Sequence, residues 1–276
     1  MKNEQMTNYK AQTPDPQNQR SMEPLITGAR ELGITLVACH LTACETYYQE
    51  LVAWNERFNL TAITDWEGVL VRHFLDSLSC LKALPRAELA AGARVIDVGT
   101  GAGFPGLLLK IVCPGMRLTL LEATGKKVTF LEHVVRVLGL RDVGVIHGRA
   151  EELGRDPAHR ERYDWALARA VAEMPALAEY LLPLVRVGGT MLAQKGEDAA
   201  AEVHRADAAI VALGGRMRQL VPVELRGLAE TRYLVVVDKV AATLEKYPRR
   251  PGVPQKRPLT HSSQSPPAPP SSLPAS

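Results

Sequence analysis

The sequence predicts an α/β fold: a mostly parallel sheet with helices on both faces, preceded by a helical N-terminal extension. Two patterns predict it. From Ala93 onward, short apolar runs alternate with helical stretches. The first run leads into Val95-Ile96-Asp97-Val98-Gly99-Thr100-Gly101-Ala102-Gly103-Phe104-Pro105-Gly106, in which glycine recurs at every second position before a proline and a further apolar run. That order reads as a buried strand, a tight loop and a helix start. Glycine admits positive φ and close approach of the backbone to a ligand. Pro105 suits a first helical turn, and the helix-start N–H groups are expected to face the ligand.

Taken in order, residues 1 to 22 are polar, lack apolar periodicity and are expected to be disordered. A helical extension is expected over 23–90. Leu41, Cys44, Tyr48, Leu51, Asn55 and Phe58 recur at spacings of three and four and mark one helix face. Asn55 on that face can bind a backbone group in the core or touch a partner, and the structural role is favoured. Thr64-x-x-Glu67 has the form of a capping box that opens a second helix. On it Val71, Phe74, Leu75, Leu78 and Leu81 are apolar, with Arg72, His73 and Asp76 between them. Arg72 and Asp76 stand at i, i+4 and can pair. Arg72 and His73 can instead edge a ligand cleft.

The sheet domain is expected over 91–242. Strands are predicted at Val95–Val98, Arg117–Leu121, Val143–His147, Asp164–Ala168 and Gly189–Gln194, with helices at Pro105–Val112, Lys126–Leu138, Glu173–Val185 and Glu197–Leu213. Two last strands, Val221–Leu225 and Tyr233–Asp238, have no helix between them and are expected to pair antiparallel at one edge. A basic arm over 243–260 carries Lys246, Arg249, Arg250, Lys256 and Arg257 and no acid after Lys246. Such an arm fits nucleic-acid phosphates. The Ser/Pro-rich stretch 261–276 is expected to be a disordered tail.

Bulk properties narrow the class. A net charge of +3 excludes a polycation, so any nucleic-acid surface is a local patch. Four cysteines without C-x-x-C spacing read as buried free thiols, and no metal site is expected. The polar N-terminus lacks a signal-peptide core, and no run approaches the roughly 20 apolar residues of a membrane span. A cytoplasmic monomer is expected.

The loop chemistry discriminates between ligands. A dinucleotide loop needs G-x-G-x-x-G, and the third glycine position here is Phe104. Asp97 beside the loop would repel a pyrophosphate and suits a ligand with positive charge. S-adenosylmethionine, with a sulfonium, an ammonium and no phosphate, is therefore favoured over a dinucleotide. Glu122, ending the second strand, is placed for ribose hydroxyls of either ligand. Ligands of such sheets lie outside the carboxyl ends of the strands. Those ends carry Asp97 to Phe104, Glu122-Ala123-Thr124, Ala150-Glu151, Arg169 and Lys195. Ala150 and Glu151 are expected to flank the adenine. Arg169 and Lys195 lie where the methyl acceptor belongs and suggest an anionic one, such as RNA. An oxidoreductase on a similar sheet and a non-catalytic RNA-binding module are the rival readings.

Several motifs carry a resemblance. Trp54-Asn55-x-x-Phe58-Asn59-Leu60-Thr61, Arg72-His73-x-x-Asp76-Ser77-Leu78, Ile96 to Gly106, Leu121-Glu122-Ala123-Thr124-x-Lys126-Lys127, Gly148-Arg149-Ala150-Glu151-Glu152, Ala168-Arg169-Ala170 and Tyr247-Pro248-Arg249-Arg250-Pro251-Gly252 appear in order. Together they resemble the bacterial 16S ribosomal RNA guanine-N7 methyltransferases, also called glucose-inhibited division protein B. The resemblance covers about Glu50 to Leu259; Glu122 departs from the Asp of many relatives. It implies a Rossmann-like class I methyltransferase with a seven-stranded sheet, acting on N7 of a guanine in the decoding-region loop of 16S rRNA, naked or in a ribosomal particle. It further implies S-adenosylmethionine as cofactor. By motif, Asp97, Gly99, Gly101, Phe104, Glu122, Ala123, Thr124, Ala150, Glu151 and Arg169 form the cofactor site. Guanine N7 has a free lone pair, so no catalytic base is assigned; Arg72, His73, Lys195, Arg249 and Arg250 are candidates for RNA contact.

Overall fold

The computed structural model describes residues 20–259. The disorder expected for 1–22 and 261–276 thus falls almost wholly outside the described residues. The extension holds α1 (Glu23–Glu31) and α2 (Ala38–Phe58), then one continuous helical run. That run begins as α3 (Trp66–Val69), passes through a π-helical turn (Leu70–Leu75) and α4 (Asp76–Leu78), and ends in a 3-10 turn (Ser79–Lys82). Asp65, not Thr64, caps it, accepting from Gly68 N–H at 2.7 Å. The Thr64 carbonyl instead receives the Tyr48 hydroxyl. A short α5 (Arg86–Ala90) leads into the sheet.

Seven strands follow: β1 (Arg94–Val98), β2 (Arg117–Glu122), β3 (Val143–His147), β4 (Tyr163–Arg169), β5 (Val185–Lys195), β6 (Gly215–Val223) and β7 (Arg232–Lys239). Their order is β3-β2-β1-β4-β5-β7-β6. β7 runs antiparallel to both β5 and β6, and the other neighbours are parallel. The intervening helices are α6 (Gly106–Val112), α7 (Gly125–Val137), α8 (Ala150–Leu153), α9 (Met174–Leu181) and α10 (Ala199–Ala212), and α11 (Val253–Lys256) closes the described chain. β6 begins six residues before the predicted start, because its polar, exposed Arg216, Arg218 and Gln219 hide an edge strand from a search for apolar runs. Pro105 is the N-cap of α6, not its first turn. No described helix is long and apolar enough to cross a membrane. All four cysteines are free; three are buried and Cys39 is exposed, against expectation.

Strand alternation assigns side chains to the two faces. Val95, Leu118, Leu120, Leu167 and Leu192 join the core shared with α2, α4, α6 and α7. Ile96, Val98, Ala166, Ala168, Met191 and Ala193 join the second core, with α9 and α10. Two residues beyond members of the first set stand Asp97, Glu122, Arg169 and Gln194. Period-two alternation thus delivers four polar groups from four strands to the face covered by the N-terminal extension.

Candidate active site

Asp97 is fully buried. Its Oδ2 accepts from Gly106 N–H at 2.8 Å and from the Thr100 hydroxyl at 2.6 Å. Through Oδ2 the carboxylate therefore caps α6 and ties off the glycine loop. The free helix N-terminus expected from the sequence is thus occupied. Burial pushes the Asp97 carboxyl up to about 6 against these hydrogen bonds, with Glu122 adding to the rise and Arg169 opposing it. Gly99, Gly101 and Gly103 all have positive φ. They differ in surroundings: a Cβ on Gly99 would meet Val171 at 2.8 Å, whereas around Gly101 nothing lies within 4 Å. Gly101 N–H donates to Glu122 Oε2 at 3.0 Å, and Thr124 N–H to Glu122 Oε1 at 2.8 Å. Glu122 so bridges the loops after β1 and β2.

Phe104 ends the loop inside an aromatic stack, between Tyr47 (centroids 5.4 Å) and His73 (4.7 Å). Tyr47, fully buried on α2, donates its hydroxyl to the Ala102 carbonyl. The extension therefore shapes the loop directly. The Arg169 guanidinium lies 5.0 Å from the Phe104 ring centroid and binds Asp76 Oδ2 at 3.0 Å. Asp76 does not pair with Arg72: its Oδ1 takes Gln194 Nε2 at 2.9 Å and faces Arg232 Nε at 3.4 Å. His73 sits between Thr61 Oγ1 (2.8 Å) and Arg169 Nη2 (3.5 Å). Desolvation and the nearby guanidinium lower it to about 4, so it is neutral at physiological pH. Asn55 anchors this corner by accepting from Thr61 N–H at 2.8 Å, the backbone role read from the sequence.

Beyond the stack lies a pocket of about 380 Å³ at the carboxyl ends of β4 and β5. Arg72, His73 and Asp76 line one side, and Arg169, Ala170, Lys195 and Glu202 the other. Lys195 Nζ pairs with Glu202 Oε2 at 2.7 Å and donates to the Ala172 carbonyl. Glu202 Oε2 also accepts from Met174 N–H, capping α9. Ala170 turns the β4 exit with φ of 54°, a conformation uncommon outside glycine.

A family model for rRNA small subunit methyltransferase G matches residues 40–228. Two relatives carry the name ribosomal RNA small subunit methyltransferase G. One, from Roseiflexus sp. (strain RS-1), is 54% identical over 86% of this chain and 100% of its own. The other, from Pelotomaculum thermopropionicum, is 50% identical over 86% of this chain and 98% of its own. This chain belongs to the rRNA small subunit methyltransferase G family. Among solved structures, an rRNA methylase from Streptococcus thermophilus matches with a TM-score of 0.43 at 18% identity, covering 56% of this chain and 94% of its own.

The donor cradle fits the methyl donor of such an enzyme better than a dinucleotide. With Asp97 Oδ2 on the first α6 N–H and the Gly103 carbonyl on the second, a pyrophosphate at this helix N-terminus would meet a carboxylate. Asp97 Oδ1 is buried without a hydrogen-bond partner, and Glu122 and Glu151, both nearly buried, add acids along the same edge.

The remaining family motif, the basic arm, takes an unexpected course. Arg249 wraps the fully buried Glu179 of α9 with Nε at 2.9 Å and Nη2 at 2.6 Å, and its backbone N–H adds a third donor at 2.7 Å. Its guanidinium is engaged by Glu179 through Nε and Nη2, with the side chain 24% exposed. Gly252 N–H then donates to Glu151 Oε1 at 2.8 Å. Arg160 binds the carbonyls of Thr243 and Tyr247, and Arg155 that of Pro248. Arg250 is exposed. The structure also brings in Tyr47, Gln194, Glu202 and Arg232, which the sequence reading missed. Tyr47 was discoverable, three residues after Cys44 and four before Leu51 on the same helix face. Arg232 and Gln194 carry no local signal.

Proposed function

We propose that this methyltransferase places S-adenosylmethionine over the ends of β1 to β3 and a flipped-out guanine of 16S rRNA in the pocket beside Arg169, and methylates N7. The occupied α6 N-terminus, with acids along the donor edge and a cation-lined pocket next to it, carries this reading. Gly101 offers open backbone to the donor; Glu122-Ala123-Thr124 meets the ribose, and Ala150 and Glu151 flank the adenine. Gly99 keeps the loop against Val171, and Phe104 and Arg169 form the wall between donor and acceptor. When bound, the cofactor supplies an electrophilic methyl group: the N7 lone pair forms the new C–N bond as the C–S pair returns to sulfur. No base is required, so the protein contributes positioning and electrostatics. Arg72 at the pocket mouth and Arg250 on the arm contact RNA phosphates, Lys195 lies deeper, and His73, neutral, orders the wall. The enzyme works in the cytoplasm, where the small subunit is assembled. Labelled methyl donor incubated with small subunits and with naked rRNA tests this. Label at a single guanine N7 is expected; label on another atom, or on neither substrate, refutes it.

A further inference from the structure

Lys195 and Glu202 stand side by side on the pocket wall beyond Arg169. The strand order runs β1, β4, β5, so donor loop, Arg169 and Lys195 succeed one another across the sheet. Glu202 follows on the first turn of α10. Lys195 has used two of its three N–H donors, on Glu202 and on the Ala172 carbonyl. Glu202 has used Oε2 twice, on Lys195 and Met174, and Oε1 has no partner among the described residues. The other carboxylate of the pocket, Asp76, is held by Arg169, Arg232 and Gln194. The far wall therefore presents one free donor beside one free acceptor.

We infer that this pair reads the guanine edge, Lys195 donating to O6 and Glu202 Oε1 accepting from N1–H. The inference rests on the guanine-N7 reading above. A guanine that enters with N7 toward the donor loop turns its six-membered ring to the far wall. There it offers an acceptor at C6 beside a donor at N1. Adenine offers the reverse, a donor at C6 and an acceptor at N1, and would leave both protein groups mispaired. The contact to Glu202 also tightens during reaction. As N7 gains the methyl group, positive charge enters the purine and N1–H becomes more acidic, while the proton stays on N1. A carboxylate acceptor therefore binds the transition state better than the ground state.

The test pairs a protein change with a substrate change. Small subunits are reconstituted with guanosine or 2-aminopurine riboside at the methylated position. The latter keeps N7 and the 2-amino group and lacks O6 and N1–H. Wild type should lose about a hundredfold in kcat/KM on 2-aminopurine. Glu202→Gln keeps the Met174 contact; it should lose at least about tenfold on guanosine, chiefly in kcat, and its guanosine preference should shrink at least tenfold. S-adenosylhomocysteine affinity should match wild type. An unchanged preference in Glu202→Gln overturns the inference and leaves Glu202 as a strut for α9 and Lys195, whatever else changes. Should that variant fail to fold, equal wild-type turnover of both substrates overturns it alone. Absence of any methyl transfer to guanosine by wild type would instead sink the underlying functional reading.

Discussion

Replacing Arg249 by Ala separates two roles for the C-terminal arm. Glu179 is fully buried, and three donor groups of Arg249 satisfy it. The substitution removes the two side-chain donors and leaves a buried carboxylate with one backbone N–H. Breaking a buried pair in this way costs about 3–5 kcal/mol. At roughly 2–4 °C per kcal/mol for a domain of this size, the melting temperature should fall by about 10 °C. The arm then loosens from α9, and the Gly252–Glu151 hydrogen bond goes with it. Affinity for S-adenosylhomocysteine should therefore fall about tenfold, read by calorimetry at a temperature where the variant is folded. Combining Arg249→Met with Glu179→Leu should recover most of the stability, because an apolar pair leaves no stranded charge. An RNA-contacting Arg249 predicts another pattern: unchanged melting, unchanged ligand affinity, and a log–log salt slope of RNA binding lower by about one. That second pattern would refute the structural role.

Four further outcomes follow from the same geometry. His73 titrates at about 4 in the fold against 6.5 unfolded, so its contribution is complete above 6.5 and is lost as pH falls through 4; the stability difference between wild type and His73→Gln should grow by about 3 kcal/mol from pH 4 to 6.5. Asp97 is raised to about 6 from 3.8, so its contribution is present below 3.8 and lost as pH rises through 6; the difference between wild type and Asp97→Asn should shrink by about 3 kcal/mol over that span, and denaturant titrations at several pH values check both signs. Phe104→Ala should destabilise by about 3–5 kcal/mol, and Phe104→Leu by less than about 1.5 kcal/mol; both should lose methyl transfer, because the ring that orders His73 and Arg169 is gone. Gly101→Ala should cost only about 1–2 kcal/mol of backbone strain yet weaken S-adenosylhomocysteine binding more than tenfold, whereas Gly99→Ala should chiefly unfold the loop against Val171; melting and calorimetry together distinguish them.

What the sequence revealed and concealed has a physical pattern. β1, β2, β4 and β5 were legible because both their faces are buried, which writes a continuous apolar run. β6, with one face in solvent, was misplaced for the same reason in reverse. Asp97 is legible by motif, but its cap on α6 is not. Its carboxylate lies on the strand face beneath α6, where Oδ2 takes the Gly106 N–H and the Thr100 hydroxyl and Oδ1 is left without a partner among the described residues. The Arg72–Asp76 pair looked sound at helical spacing, yet a π-helical turn spans Leu70–Leu75 and shifts the register that i, i+4 assumes. Asp76 instead meets Arg169 and Arg232 from distant strands, partners that only the folded sheet brings near. The basic arm showed its charge in the sequence; that Arg249 would turn inward to Glu179 required knowing that α9 carries a buried acid.

The pairing of charges in the pocket bears on how a cationic product forms beside so many cations. Methylation at N7 moves a positive charge onto the guanine. At an effective dielectric of 20, a bare cation 4 Å away would oppose that charge by about 4 kcal/mol, which amounts to several hundredfold in rate. Arg169 is matched by Asp76, Lys195 by Glu202, and Arg232 by Asp76 and Glu230. His73, held neutral by burial and by Arg169, adds none. Among the pocket cations, Arg72 alone has no side-chain partner among the described residues, and it is exposed, where water screens it and an RNA phosphate can take it up. With the guanine placed as proposed, the pocket keeps a cationic donor for an anionic polymer at its mouth and neutralises those within reach of N7. Removing Asp76 or Glu202 would therefore cost rate through an uncovered cation as well as through a lost contact.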